Sequence, residues 1–206
     1  MARFVAVHGK LVLATGNQDK VLEIRTLLAD LEVELVPLTA FPEVPEVVED
    51  GATLEENAIK KAKTLSRHTG LAAVADDTGL EVAFLDGAPG VFSSRYAGEA
   101  ASYADNVKKL LHELQGVPRE KRGARFRCVV AFTDGETTRT VEGMCDGWIC
   151  EQPRGEHGFG YDPVFYVPEY DCTFAQMSLK KKNAISHRSQ AFLNFKQLVK
   201  SGEIRI

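Results

Sequence analysis

The chain alternates short apolar runs with stretches whose apolar positions recur every three to four residues. The first run, LVLA at 11–14, reads as a buried strand, and a helical stretch follows at once over 18–29. There Val21, Ile24, Leu27 and Leu28 share one face. VELVPL at 33–38 predicts a second strand. Residues 41–52, rich in acids with prolines and a glycine, read as a loop. A helix is expected from Thr53 to about His68, with Thr53 as N-cap and Glu56 placed to complete a capping box. LAAVA at 71–75 predicts a strand ending in Asp76-Asp77-Thr78-Gly79, followed by LEVAFL and the turn DGAPG. Ser102 caps a helix expected over 102–115. Strands near 124–134 and 137–150 flank Asp134-Gly135, a strong hairpin signal. PVFYVP at 163–168 reads as a short strand, and Ser186–Leu198 as a closing helix. This order predicts an α/β protein with a mixed sheet and two lobes around a cleft.

Composition narrows the function classes. The 206 residues suffice for one core, or for two lobes sharing one, and 1–206 is read as a single domain. With 25 basic and 29 acidic residues the net charge is −4, which weighs against nucleic acid as the main partner. A small anionic ligand needs only a local cluster of positive charge. No pair of Cys128, Cys145, Cys150 and Cys172 has zinc-knuckle or thioredoxin spacing. The opening MARFVAVHGK has an apolar stretch of only four residues, so no signal peptide is expected, and no run is long enough to span a membrane. The expectation is a cytoplasmic protein with reduced thiols.

Four stretches could carry chemistry. Thr15-Gly16-Asn17 joins the first strand to the first helix, and Lys20 lies one turn on. Free helical N–H groups, two side-chain donors and a lysine make a phosphate cradle there, although the Walker pattern is absent. The competing reading is a plain N-cap by Asn17 beside an exposed lysine. Asp76 and Asp77 are costly at the end of an apolar strand unless something positive meets them. Magnesium held by carboxylates and ligand phosphates would do so. Gly158 to Pro163 could lay Phe159 or Tyr161 against a planar ring while Asp162 accepts from ring N–H groups. The plainer reading is a structural turn with core aromatics. Finally, His187 and Arg188 follow the N-cap Ser186, where positive charge opposes the helix dipole. Either they contact an electron-rich ligand, or Arg188 pairs with a nearby acid.

Together, and in this order, ATGNQDK at 14–20, EDGATLEENAIKKA at 49–62, ADDTGLEVAFLDGAPGVFSSRYAG at 75–98, GFGYDPVF at 158–165 and KNAISHR at 182–188 resemble the inosine triphosphate pyrophosphatases. The likeness runs from residue 11 to about 200. It implies a long mixed β-sheet flanked by helices, two lobes around a central cleft, and a homodimer. It also implies magnesium-dependent hydrolysis of ITP, dITP and XTP to the monophosphate and pyrophosphate. Thr15, Gly16, Asn17 and Lys20 fall on the family's triphosphate motif, with Lys61 as a further phosphate contact. Asp77 falls on the proton acceptor, and Glu49, Asp76 and Asp77 on the metal site. Thr78 stands where many members carry serine and keeps the hydroxyl. Phe159, Gly160, Tyr161, Asp162, Lys182, His187 and Arg188 fall on the base-recognition positions. Residues 1–9 precede the usual start and receive no role. Adenine would set an amino donor against the donors of His187 and Arg188, whereas hypoxanthine and xanthine offer an oxygen. Guanine also offers that oxygen, so its rejection must involve the two-amino group. Two other readings stay open: a pyrophosphatase for other modified nucleotides, and a non-catalytic nucleotide-binding module. The second would not need both Asp76 and Asp77.

Overall fold

A computed structural model describes residues 9–206. Most of the opening segment set apart above lies outside the described residues, and Gly9 already begins a strand.

The elements follow in the order β1 (Gly9–Leu13), α1 (Gln18–Leu27), β2 (Val33–Pro37), α2 (Leu54–Thr69), β3 (Ala72–Val82), β4 (Pro89–Gly90) and α3 (Tyr103–Glu113). Next come the hairpin β5 (Gly123–Thr133) and β6 (Thr138–Ile149), then β7 (Phe165–Val167), β8 (Cys172–Thr173), α4 (Leu179–Lys182) and α5 (His187–Ser201). The sheet runs β2-β1-β3-β5-β6-β7-β8, with β4 on the free edge of β3. β1 is parallel to β2 and β3, and all other pairings are antiparallel. This is the expected mixed sheet flanked by helices.

The caps follow the sequence closely. Ser102 and Asp105 form a complete capping box on α3. On α2, Thr53 accepts from the Glu56 N–H, but Glu56 reaches back to the N–H of Ala52, one residue before the cap. The Asp134-Gly135 turn is held by Asp134, which accepts from the N–H groups of Glu136 and Thr137. The pieces too short to show a period (β4, β8 and α4) were not foreseen.

β3 does not stop before Asp76 but continues unbroken to Val82. Its antiparallel partner β5 carries it through, with Asp76 opposite Val130 and Asp77 opposite Val129. A strand's side chains alternate between faces. Val74 therefore packs with Leu13, Val130 and Phe132 against α1 and α5, while Ala73 and Ala75 pack with Val129 and Ala131 against α2. The two aspartates inherit that alternation and leave the sheet on opposite faces.

The same strand explains the cleft. On its other edge β1 pairs as far as Val74, and β4 begins opposite Leu80. Among the described residues no strand covers that edge between them, and both aspartates and Thr78 sit in the gap. A third cluster, built on α3 and on the ends of β5 to β8, forms the second lobe across it.

Candidate active site

A cavity of about 520 Å³ occupies this gap. Its wall includes Thr15, Gly16, Asn17 and Lys20 from the β1–α1 corner, Glu49, Lys61, Asp77 and Thr78 from the middle, and Phe159–Asp162, Lys182, His187 and Arg188 from the far lobe. Every candidate residue except Asp76 lines it.

At the corner, Asn17 is the N-cap of α1, and its Oδ1 accepts from the N–H groups of Asp19 and Lys20. A glycine at a strand-to-helix corner ordinarily allows tight backbone geometry, but the φ of Gly16 is not positive, and a Cβ there would meet nothing within 4 Å. The missing side chain leaves open space at the cavity wall, where a ligand's oxygens can approach the backbone.

On the α2 face, Lys61 Nζ sits 3.0 Å from Asp77 Oδ1 and 2.9 Å from Glu49 Oε2. Asn57, buried on α2, donates to Asp77 Oδ2 at 3.2 Å and accepts the Gly51 N–H at 2.8 Å. Burial raises the proton affinity of Asp77; Lys61 and Lys20 oppose that, Glu49 adds to it, and the net shift is upward. For Glu49 the cost of burial is overcome by Lys61, and its pKa is lowered. Asp77 is therefore the better proton acceptor of the two, and Lys61 stays cationic despite its burial.

On the α1/α5 face, Asp76 is only 1% exposed. Its Oδ2 lies 3.0 Å from Lys20 Nζ and 3.3 Å from Arg188 Nε. Burial would raise its pKa, but Lys20, Arg188 and Lys61 hold it well below the usual carboxylate range. Its Oδ1 is buried without a hydrogen-bond partner among the described residues. Behind it, burial and the Asp76 charge push the Cys128 thiol up to about 12, so this thiol is no nucleophile.

Arg188 takes the plainer of the two readings open to it and adds more. Its Nη1 donates to Glu23 Oε2 at 2.6 Å and its Nη2 to Thr78 Oγ1 at 3.1 Å. His187 is not half of a positive pair: burial, then Arg188 and Lys182, lower its pKa well below the ordinary value and keep it neutral. Its ring stacks on Phe126 at 4.4 Å, with neither ring nitrogen partnered among the described residues. Asp162 does not wait free for a base. It accepts from Lys182 Nζ at 2.6 Å and from the Phe159 N–H at 3.0 Å. Gly158, at φ +72°, permits this loop, since a Cβ there would fall 2.0 Å from Asp162 Oδ2. Tyr161 belongs to the core and donates to the Ser93 carbonyl at 2.9 Å, leaving Phe159 as the aromatic free to meet a ring.

The sequence reading missed Glu23, Asn57 and Tyr103. Glu23 is 3% exposed and bridges Lys182 at 2.9 Å and Arg188 at 2.6 Å. One signal pointed to it: a glutamate beside Ile24 on the inward face of α1, one turn after Lys20. Tyr103 accepts a hydrogen bond from Asn17 Nδ2 at 2.8 Å across the cleft.

A sequence profile of the Ham1 family matches residues 11–198. The chain belongs to the Ham1 family. A dITP/XTP pyrophosphatase of Desulfotalea psychrophila is 48% identical over 201 residues, covering 95% of this chain and 89% of that protein. One of Desulforamulus reducens is 52% identical over 183 residues, covering 88% and 91%. Among solved structures, a HAM1 protein of Coxiella burnetii matches with TM-score 0.86 and 43% identity over 94% of this chain and 99% of that one. A Mycobacterium abscessus nucleoside-triphosphatase, also named a dITP/XTP pyrophosphatase, gives TM-score 0.74 and 42% identity over 90% and 98%. This Ham1 chain thus shares its fold with both solved structures over nine-tenths or more of its length. Among the described residues, no helix is long and apolar enough to cross a membrane.

Proposed function

We propose that this protein hydrolyses the non-standard purine nucleotides ITP, dITP and XTP to the nucleoside monophosphate and pyrophosphate, cleansing the nucleotide pool. The observation that carries this reading is the continuity of the cavity. An anion-binding corner, a raised carboxylate and an aromatic-lined end face one space of about 520 Å³. A nucleoside triphosphate needs those three features in that order. The names of the curated relatives support the substrate class.

Cleavage between the α- and β-phosphates calls for an in-line water, a base and positive charge on the leaving group. Asp77 takes the proton of the attacking water, held by Asn57 and Lys61 with its oxygens fixed. Lys20 and Lys61, both on the cavity wall, supply the positive charge that meets the phosphates, while Lys61 keeps its hold on Asp77. At the far end Phe159 stacks on the base. His187 and the remaining N–H groups of Arg188 and Lys182 read the six-position oxygen.

Charge supports a divalent ion. Glu23, Glu49, Asp76, Asp77 and Asp162 outnumber Lys20, Lys61, Lys182 and Arg188, and the substrate adds more negative charge. Among the described residues no three ligating side chains converge on one point. Mg2+ needs only one or two carboxylates beside phosphates and water, and the Glu49–Asp77 pair, which already shares a cation, fits. Asp76, on the other face and paired with Lys20 and Arg188, is the least suited of the three expected ligands. When bound, the ion would neutralise phosphate charge and polarise the scissile bond. The family resemblance supports the remaining expectations: one domain over 1–206, a homodimer, and a cytoplasmic location. Phosphorus NMR of an ITP digest with Mg2+ tests the reaction: IMP and pyrophosphate are expected, and IDP with orthophosphate would overturn it.

A further inference from the structure

Tyr103 is the first residue of α3, on the lobe opposite the phosphate-binding corner, and is 43% exposed at the mouth of the cavity. Its hydroxyl lies 2.8 Å from Asn17 Nδ2, and its ring lies 5.8 Å, centroid to centroid, from Phe159. It touches the corner with one end and the base-binding loop with the other.

The direction of the Asn17 contact is fixed by chemistry. The carboxamide oxygen of Asn17 already accepts two backbone N–H groups of α1. Its nitrogen must therefore face Tyr103, and a nitrogen that only donates requires the phenolic oxygen to accept. The hydrogen of that hydroxyl is then left over, at a cavity wall, with no acceptor among the described residues. A second donor, Asn17 Nδ2, stands beside it. Two adjacent donors at the junction of an anion-binding corner and an aromatic loop suit an anionic oxygen.

We propose that Tyr103 is a substrate-contacting residue whose hydroxyl donates to a phosphate oxygen next to the sugar of the bound nucleotide. This rests on the function proposed above and adds a specific contact to it. In this arrangement the phosphate nearest the sugar bridges the two lobes, through α1 on one side and α3 on the other. Tyr103 thereby registers the base against Phe159 while the terminal phosphates settle toward Lys20.

The test is Tyr103→Phe, which keeps the ring on Phe159 and removes only the hydroxyl. Its exposed position makes a folding defect unexpected, and an unchanged melting curve confirms that. Calorimetric titration with IMP, which needs no turnover, should show roughly tenfold weaker binding, the typical loss for a hydrogen bond to a charged group. In steady state, kcat/KM should fall by about the same factor for ITP and for dITP. A fall confined to ITP would assign the contact to a sugar hydroxyl and overturn the proposal. Unchanged or tighter IMP binding would make Tyr103 a mere latch on Asn17, and would also overturn it. Failure of the unaltered protein to cleave ITP would instead sink the functional reading on which the proposal rests.

Discussion

Asp77 has an amide on one oxygen and an ammonium on the other, and a second carboxylate shares that ammonium. These contacts fix where its lone pairs point, while burial raises its affinity for a proton. Asp77→Asn keeps the shape, and its one amide oxygen can still accept from Lys61, but its NH2 then faces the Asn57 donor and it cannot take a proton from water. The expected result is a fall in kcat of about 10²–10⁴-fold, the usual share of a general base, with a melting temperature close to the original. Steady-state kinetics and a thermal melt on the same preparation check both, and near-normal kcat in the folded variant would remove Asp77 from the chemistry. The residue types at this site were legible in the sequence because Thr15, Asn17, Lys20 and Asp77 sit inside dense local motifs. The partners were not. Arg188 meets Glu23 across 165 positions and Thr78 across 110, and no local pattern announces such pairs. That is why Arg188 stayed open between a ligand contact and a pair with an unnamed acid, although three of its donors are already engaged.

At the scale of elements, the N-terminus of α5 is held by charge. Glu23 on α1 binds Arg188 on α5 and Lys182 at the end of α4, and Lys182 binds Asp162 in the preceding loop. All four side chains are buried. Removing one partner of such a network leaves the others charged and unpaired, which costs about 3–5 kcal/mol. Glu23→Ala is expected to lose that much in urea denaturation, although Glu23 itself lies outside the family motifs quoted above. Stability within about 1 kcal/mol of the original would mean that the network contributes little. Arg188→Ala should behave likewise, so its kinetic effects read as selectivity only after folding is measured. The α2 and α5 helices were legible from their periodicity and N-caps, and the β5–β6 hairpin from Asp134-Gly135. The end of β3 was misjudged, because adjacent aspartates ordinarily mark a turn. Here β5 pairs straight through them, and the lysines and arginine of two faces absorb their charge.

At the scale of the molecule, a sheet with one uncovered stretch of edge becomes a binding cleft. β1 ends opposite Val74, β4 starts opposite Leu80, and the second lobe built on α3 closes the space from the far side. The architecture was legible as α/β with a mixed sheet, since the βαβ opening and the later hairpin dictate parallel and antiparallel pairings. The position of the cleft was not, because it depends on where two partner strands stop. On the function proposed above, this cleft selects the base by the group at the six position. The measurement that tests it most directly is kcat/KM for ITP, XTP, ATP and GTP under one Mg2+ concentration, read as pyrophosphate released. Unpaired donors at the six position would cost adenine about 1–3 kcal/mol each. With several such donors, ITP and XTP should exceed ATP by roughly 100-fold or more; guanine offers the same oxygen, so a lag of GTP would report on its two-amino group instead. Equal rates on ITP and ATP would mean that the cleft does not read the six position.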